Sequence, residues 1–338
     1  MFNPNELHVV YASDDKFAEI LGVSLVSLLD NNQDMEQINI YVLDSGVSDD
    51  NKKKIDSLCE KYNRMLPKWI PAINVSEALD IDVVTDRGSL SQYARLFISS
   101  VLPENLSRVL YLDCDIIVNQ SLSELWNLDL YGNTIGALMD AFSKQYRANI
   151  DLEPTDVMFN SGVMLVDLIK WKEKDVEGRL KDFIIKKKGK IQQGDQGALN
   201  AVLSKDTYCF EPRFNSVTIY YDFSYQEMMV YRKPPEFYNE EQIIEAVEHP
   251  VLIHFTTSFL SRRPWIEGCN HQYVDKWLKY KNMTPWAAGP LWKYLKKTGI
   301  AGVYTTVIKK MPRKFMIWFS GVLQAYGRPL LLKYKYYQ

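Results

Sequence analysis

Arg108-Val-Leu-Tyr-Leu-Asp-Cys-Asp-Ile-Ile-Val118 carries the pattern that decides the fold. Val109 to Leu112 form a short continuous apolar run, as expected of a strand covered on both faces. The run breaks at Asp113 and Asp115 and resumes as Ile116, Ile117 and Val118. Two carboxylates one residue apart at the end of a buried strand are costly unless something cationic sits between them. In an extended segment the side chains at i and i+2 point the same way, so one ion can bridge both. Hard cations such as Mn²⁺ or Mg²⁺ take carboxylate oxygens and share them with substrate phosphates. The bland alternative is a strand entering a turn with both aspartates solvated. An isolated Asp-x-Asp leaves both open.

Upstream, Leu7-His-Val-Val-Tyr-Ala12 predicts a first strand, followed by the polar turn Ser13-Asp14-Asp15-Lys16. Phe17, Leu21, Leu25 and Leu28 recur at helical spacing up to Asp30. Ile38–Leu43 predicts a second strand, and Ser48 caps a helix reaching about Tyr62. A third strand is expected around Lys68–Ile73, and a helix over Gln92–Leu102 that stops before Pro103. Downstream come an apolar run at Thr134–Met139 and a polar loop, Phe159-Asn-Ser-Gly, entering a buried strand up to Val166. A helix from about Trp171 follows. Asp195 is expected at or near the N-cap of a helix over Ala198–Leu203. Val251–Phe255 predicts a strand with His254 at its end. Strands alternating with helices indicate an α/β fold with a mostly parallel sheet, whose ligands bind beyond the carboxyl ends of the strands. Ser13-Asp14-Asp15 and Asp113-Cys-Asp115 both fall at such ends. Neither GxGxxG nor GxxxxGK[ST] occurs, so phosphate would have to be held by a metal and basic side chains.

The chain has 338 residues and a formal net charge of −2, which argues against a general nucleic-acid binder. The charge is unevenly spread. Residues 286–338 hold ten Lys or Arg and no acid, leaving 30 basic against 42 acidic residues before them, a net of −12. Cys59, Cys114, Cys209 and Cys269 form no CxxC or zinc spacing and suit reduced thiols of a cytosolic protein. No signal peptide is expected, and no window approaches the roughly 18–20 apolar residues that span a bilayer.

Seven segments occur in a characteristic order: Val10-Tyr-Ala-Ser-Asp-Asp15, Gln92-Tyr-Ala-Arg95, Leu110-Tyr-Leu-Asp-Cys-Asp115, Phe159-Asn-Ser-Gly162, Asp195-Gln196, His254-Phe255 and Arg263-Pro-Trp265. Over residues 7–285 this order resembles the family 8 retaining glycosyltransferases, which include bacterial lipooligosaccharide and capsular galactosyl- or glucosyltransferases and, more distantly, glycogenin. The resemblance implies a GT-A type nucleotide-sugar-binding domain over 1–285. Asp113, Asp115 and His254 match its metal ligands, and that donor set suits Mn²⁺, with Mg²⁺ as the alternative. Ala12 and Asp14 match positions that contact uracil and ribose. Phe17 falls where relatives place an aromatic against the base, although a core-facing Phe17 remains open. Arg95, Asp113 and Asn160 match positions on the donor, and Asp195 and Gln196 match the sugar side of the site. Many relatives carry Lys-Pro-Trp soon after the histidine. Here Arg263-Pro264-Trp265 follows after a longer gap, with Arg262 beside it, and Arg263 is preferred for the diphosphate. Lys16 is either a phosphate contact or a solvated charge.

The expected activity is metal-dependent transfer of galactose or glucose, with retention, from a UDP-sugar to a glycan or lipid-linked oligosaccharide. A double displacement needs a carboxylate nucleophile. Gln196 is an amide, so front-face transfer is expected. In the tail, Trp286, Trp292, Tyr294, Ile300, Val303, Phe315, Ile317, Trp318 and Phe319 mix with Lys293, Lys296, Lys297, Lys309, Lys310, Arg313 and Lys314. A basic, aromatic helical extension of this kind suits an anionic membrane surface and peripheral attachment to the inner face of the cell membrane. Packing on the main domain is the alternative, and no nucleic-acid module accompanies it. A second function class is a catalytically weak relative that binds membrane or glycan; the complete Asp113, Asp115, His254 set favours the enzyme.

Overall fold

The computed structural model describes residues 3–84, 90–295, 299, 308 and 310–337. The strands are β1 (Glu6–Ser13), β2 (Gln37–Asp44), β3 (Lys68–Pro71), β4 (Arg108–Leu112), β5 (Ile116–Val118), β6 (Ile135–Met139), β7 (Phe159–Asp167), β8 (Thr207–Cys209), β9 (Ser216–Val217) and β10 (Leu252–His254). Among the described residues they form a seven-stranded sheet, ordered β3-β2-β1-β4-β7-β6-β8, and a three-stranded sheet, ordered β5-β10-β9. In the large sheet β3, β2, β1 and β4 run parallel, β7 is antiparallel to β4 and β6, and β8 is parallel to β6. The mostly parallel α/β expectation holds, with an antiparallel centre at β7.

Alternation along the strands splits the core. Val9 and Tyr11 enter one apolar layer with Leu21 and Leu25 of helix α1 (Ala18–Asn31). Val10 and Tyr111 enter the opposite layer with Phe97 and Trp171. Both faces are therefore covered, which explains the apolar runs Ile40–Leu43 in β2 and Val109–Leu112 in β4. Ser48 caps helix α2 (Asp49–Lys61) by accepting from Asn51 N. Further helices used below are α3 (Gly194–Leu203), α4 (Tyr225–Arg232), α5 (Val274–Lys281), α6 (Arg313–Val322) and α7 (Arg328–Tyr337).

Four local expectations are corrected. The Asp113-Cys-Asp115 stretch is a turn between sheets and not a continuous strand: β4 stays in the large sheet while β5 joins the small one. The 92–102 segment is a 3-10 helix, Leu90–Phe97, that passes into an α turn at Ile98–Val101. Phe159-Asn-Ser-Gly lies within β7, where the Asn160 side chain is hydrogen-bonded and so tolerates burial in a ladder. The helix expected near Trp171 starts at Leu168, because Asp167 caps it through Ile169 N and Lys170 N.

Beyond residue 285 the chain stays on the main body where it is described. Trp286 covers Gly22 of α1, where any Cβ would collide with its ring. Trp292 N donates to Trp265 O at 2.7 Å, and Glu267 N to Trp292 O at 2.9 Å. Gly321 of α6 lets that helix approach the Val230 carbonyl of α4, and Arg313 pairs with Glu227 at 2.7 Å. Asn149 Nδ2 donates to Pro329 O at 2.9 Å, which anchors the start of α7. The opposite face leaves Phe315, Trp318, Leu330, Leu331 and Tyr334 exposed beside Lys314, Lys333 and Lys335. Lys296, Lys297, Ile300, Val303 and Lys309 of the tail pattern lie outside the described residues. No described helix is long and apolar enough to cross a membrane.

Candidate active site

The chain runs β1, β2, β3 toward one edge and then returns to place β4 on the other side of β1. That reversal is a topological switch point, where open α/β sheets leave a crevice. A cavity of about 100 Å³ opens there, lined by Ala12, Asp14 and Phe17 from the end of β1 and by Arg95, Asp113 and Asp115 opposite. A polar cavity of about 430 Å³ lies on the other side, lined by Asn160, Asp195 and Gln196, and shares Arg95 and Asp113 with the first.

Backbone pairing sets the junction. Asp113 N donates to Gly162 O at 2.7 Å, holding the aspartate against β7. Cys114 Sγ reaches Ala12 O at 3.2 Å, and burial pushes the thiol pKa up, so it serves as a neutral tie to β1. In the small sheet His254 stands opposite Ile116, and Phe255 N donates to Asp115 O at 2.9 Å. Two strand pairings therefore bring Asp113, Asp115 and His254 together from 140 residues apart. His254 Nε2 lies 3.2 Å from Asp115 Oδ1 and 3.8 Å from Asp113 Oδ2. One ligand atom from each of the three residues falls within 4.8 Å of the others. An ion roughly 2.1 Å from each donor spans pairs up to about 4.2 Å apart, which both histidine pairings satisfy. Two carboxylates and an imidazole fit a hard or borderline divalent cation.

A hydrogen-bond relay fixes which histidine nitrogen faces the acids. Gly162 N–H donates to Asn160 Oδ1 at 3.0 Å, so that atom is the amide oxygen. Asn215 must then present its amide nitrogen to the same oxygen, at 3.0 Å. Its own oxygen is left facing His254 Nδ1 at 2.9 Å, so Nδ1 carries the proton and Nε2 presents a lone pair to the acids. Such outer partners orient ligating imidazoles. Asn215→Leu should therefore weaken Mn²⁺ binding by about 10–100-fold without unfolding the protein. A Mn²⁺ titration followed by electron paramagnetic resonance measures this, and unchanged affinity would mean that Asn215 does not orient the histidine.

Arg95 is buried and makes three kinds of contact. It reaches Asp113 Oδ1 at 2.8 Å, Asp195 Oδ2 at 3.0 Å and Ser161 O at 2.8 Å, with its guanidinium 4.5 Å from the Tyr111 ring centroid. Burial opposes its charge, but Asp113, Tyr111 and Asp195 outweigh burial and raise its pKa. Tyr111 Oη also donates to Asp113 Oδ1, at 3.2 Å. Asp195 is consequently no helix cap. Gln193 occupies the N-cap position of α3, and Asp195 in the first turn is taken by Arg95. Gln196 Oε1 accepts from Ser161 N at 3.3 Å.

The two neighbouring arginines separate. Arg263 reaches Asp115 Oδ2 at 3.3 Å and Thr257 Oγ1 at 3.1 Å. Arg262 turns away onto the Tyr294 ring, 3.7 Å from its centroid, and donates to Glu267 O at 2.8 Å. Lys16 lies 5.3 Å from the Trp292 ring centroid. Phe17 lines the first cavity while packing edge-on against Trp265 and Trp292, so core and cavity share it. Asp14 accepts from Phe17 N at 3.1 Å. Each residue assigned to the site from the sequence lines one of the two cavities or touches Asp113 or Asp115, whereas Lys16 and Arg262 line neither cavity. Asn215, Asp140, Arg232 and Arg328 were not singled out, and no periodicity or local motif marks them; Tyr111 stood in the sequence only as part of the apolar run before Asp113.

Comparisons with known proteins give the family and the fold. Residues 8–268 match the family model for glycosyl transferase family 8. The chain is 29% identical to general stress protein A of Bacillus subtilis, covering 83% of this chain and 94% of that protein. It is 26% identical to the lipopolysaccharide 1,2-glucosyltransferase of Escherichia coli, covering 83% and 79%. The fold resembles galactosyltransferase LgtC, solved in complex with donor and acceptor sugar analogs, with a TM-score of 0.69 and 24% identity over 83% of this chain and 99% of that one. The GT-A type fold expected from the sequence is the one observed. The family match spans most of the strands and all the residues of the acid–histidine cluster, and the chain belongs to glycosyl transferase family 8.

Proposed function

We propose that the protein transfers galactose or glucose, with retention, from a UDP-sugar to a glycan or lipid-linked oligosaccharide in cell-surface polysaccharide synthesis, using Mn²⁺ or Mg²⁺. The observation that carries this is the Asp113, Asp115, His254 cluster at the boundary between the two cavities. Uracil and ribose would lie along Ala12, Asp14 and Phe17. The diphosphate would meet the metal and Arg263, whose planar fork suits phosphate oxygens. The metal supplies Lewis-acid stabilisation of charge on the departing diphosphate. The hexose would project into the larger cavity beside Arg95, Asn160, Asp195 and Gln196.

Within that cavity Asp195, held by Arg95, would orient sugar hydroxyls. Gln196 would point its amide dipole at the positive charge that grows on the anomeric carbon. The bond from anomeric carbon to phosphate oxygen breaks, and the bond to the acceptor oxygen forms on the same face. The acceptor's proton passes to the departing β-phosphate. A panel of UDP-sugars scored for UDP release with Mn²⁺ or EDTA tests this: release should need the metal and favour UDP-galactose or UDP-glucose. Release indifferent to EDTA would overturn the metal mechanism.

We also infer that residues 286–338 attach the enzyme to the inner face of the cell membrane. Leu330, Leu331 and Tyr334 are 69%, 71% and 69% exposed beside Lys333 and Lys335, whereas the packed face of the tail is already satisfied. Each basic residue near an anionic leaflet contributes about 1 kcal/mol. The triple variant Leu330→Ser, Leu331→Ser, Tyr334→Ser should lose sedimentation with anionic liposomes. Undiminished sedimentation would refute the attachment.

A further inference from the structure

The charges that line the larger cavity are unevenly paired. Six charged side chains line it: Arg95, Arg232 and Arg328 against Asp113, Asp140 and Asp195. Arg95 takes both Asp113 and Asp195. Asp140 is the acid nearest in effect to Arg232, which is first among the groups opposing the burial that raises the Asp140 pKa, but the two form no ion pair within 4 Å. That leaves Arg232, at the end of α4, and Arg328, at the start of α7. Among the described residues, neither has a carboxylate within 4 Å. Arg232 Nε is buried with no hydrogen-bond partner. Its guanidinium instead stands between aromatic rings, 5.5 Å from the centroid of Phe142 and 5.4 Å from that of Tyr231. The rings offer cation–π contacts but no hydrogen-bond acceptor for Nε. Both guanidiniums line the same cavity, and both act on the Tyr146 hydroxyl, against the burial that raises its pKa to about 12.

The buried Arg232 Nε without a partner is costly, and Arg328, exposed at the cavity wall, adds a second cation with no carboxylate within 4 Å, so the pair favours an anion. We propose that Arg232 and Arg328 form an anion subsite for the acceptor, which carries a phosphate or carboxylate on its sugar. This rests on the glycosyltransferase function and specifies its acceptor class. Arg95 is already committed, and Arg263 lies at Asp115, toward the donor diphosphate. The subsite is therefore separate from the donor's phosphate contacts. Guanidiniums bind phosphate and carboxylate through paired parallel hydrogen bonds, which fixes orientation as well as affinity. An anion held there would set which hydroxyl of the acceptor faces the anomeric carbon. Because Arg328 comes from the C-terminal segment, docking of that segment completes the subsite.

The test uses the full chain saturated with Mn²⁺ and UDP, so that the donor's phosphate contacts are filled. Glucose, glucose 6-phosphate and glucuronate are titrated by calorimetry at low and high salt. At least one charged sugar should bind tenfold or more tightly than glucose, with the margin shrinking as salt rises. Glucose 6-phosphate ahead of glucuronate assigns a phosphate, and the reverse order a carboxylate. Arg232→Gln and Arg328→Gln should each remove most of the margin, and Arg328→Lys should restore part of it. Equal binding of all three sugars by a protein that binds UDP would overturn the subsite alone, as would a margin that survives both glutamine variants. A protein that fails to bind UDP with Mn²⁺ would overturn the transferase function and the subsite with it.

Discussion

Asp115→Asn should abolish metal-dependent UDP release while leaving the fold intact. Asp115 is 5% exposed and places one oxygen 3.2 Å from His254 Nε2 and the other 3.3 Å from Arg263. Asparagine keeps the shape and the backbone bond from Phe255 N, but removes the charge and one of the acceptor oxygens. A Lewis-acid metal contributes several kcal/mol to the stabilisation of a departing phosphate. At 1.36 kcal/mol per decade, losing the ion lowers turnover on the order of a thousandfold. Thermal stability should fall less than in Arg95→Leu, because asparagine relieves the crowding of Asp113 and Asp115 and keeps an oxygen that Arg263 can donate to. Full turnover in the variant would rule out the metal route.

Arg95→Leu should give the largest loss of stability of any change at the site. The guanidinium pairs with Asp113 and Asp195, and Asp195 is buried beside it. Removing one partner of a buried ion pair costs about 3–5 kcal/mol, because the remaining charge is left without compensation. In a chain of this size that lowers Tm by on the order of 10 °C. Arg95→Lys keeps a charge but cannot span two carboxylates and Ser161 O at once, so it should recover only part of the loss. Differential scanning calorimetry of the three proteins decides it. A Tm unchanged in Arg95→Leu would mean that the aspartates are not held by this arginine.

Much of the architecture was legible in the chain itself. β1, α1, β2 and α2 carry strand runs, helical spacing and a serine cap that depend only on neighbours in sequence. The Asp113–Asp115 pair was legible as a feature but not as a geometry. An extended segment would aim both carboxylates alike. In the fold they converge because the chain turns out of one sheet into another. His254 gained its role from the family resemblance, since nothing local links it to residues 140 positions earlier. Asp195 shows the limit of local rules: its place near a helix start suggests a cap, yet a buried arginine from another element claims it. The Asn215 relay was illegible for a similar reason. It depends on the turn before a two-residue strand meeting β10, and short strands leave almost no periodicity to detect. Arg232 and Arg328 share a cavity only after α4 and the C-terminal segment have packed.

Asp113, Asp115 and His254 Nε2 would hold one divalent cation against the diphosphate of a nucleotide. Anomalous diffraction at the manganese edge, from crystals grown with Mn²⁺ and UDP, addresses it directly. The expected result is a single strong peak bounded by the two carboxylates, the Nε2 atom and two phosphate oxygens, with Nδ1 still bonded to Asn215. Bound UDP with no peak at that position, or with the manganese held elsewhere, would contradict it.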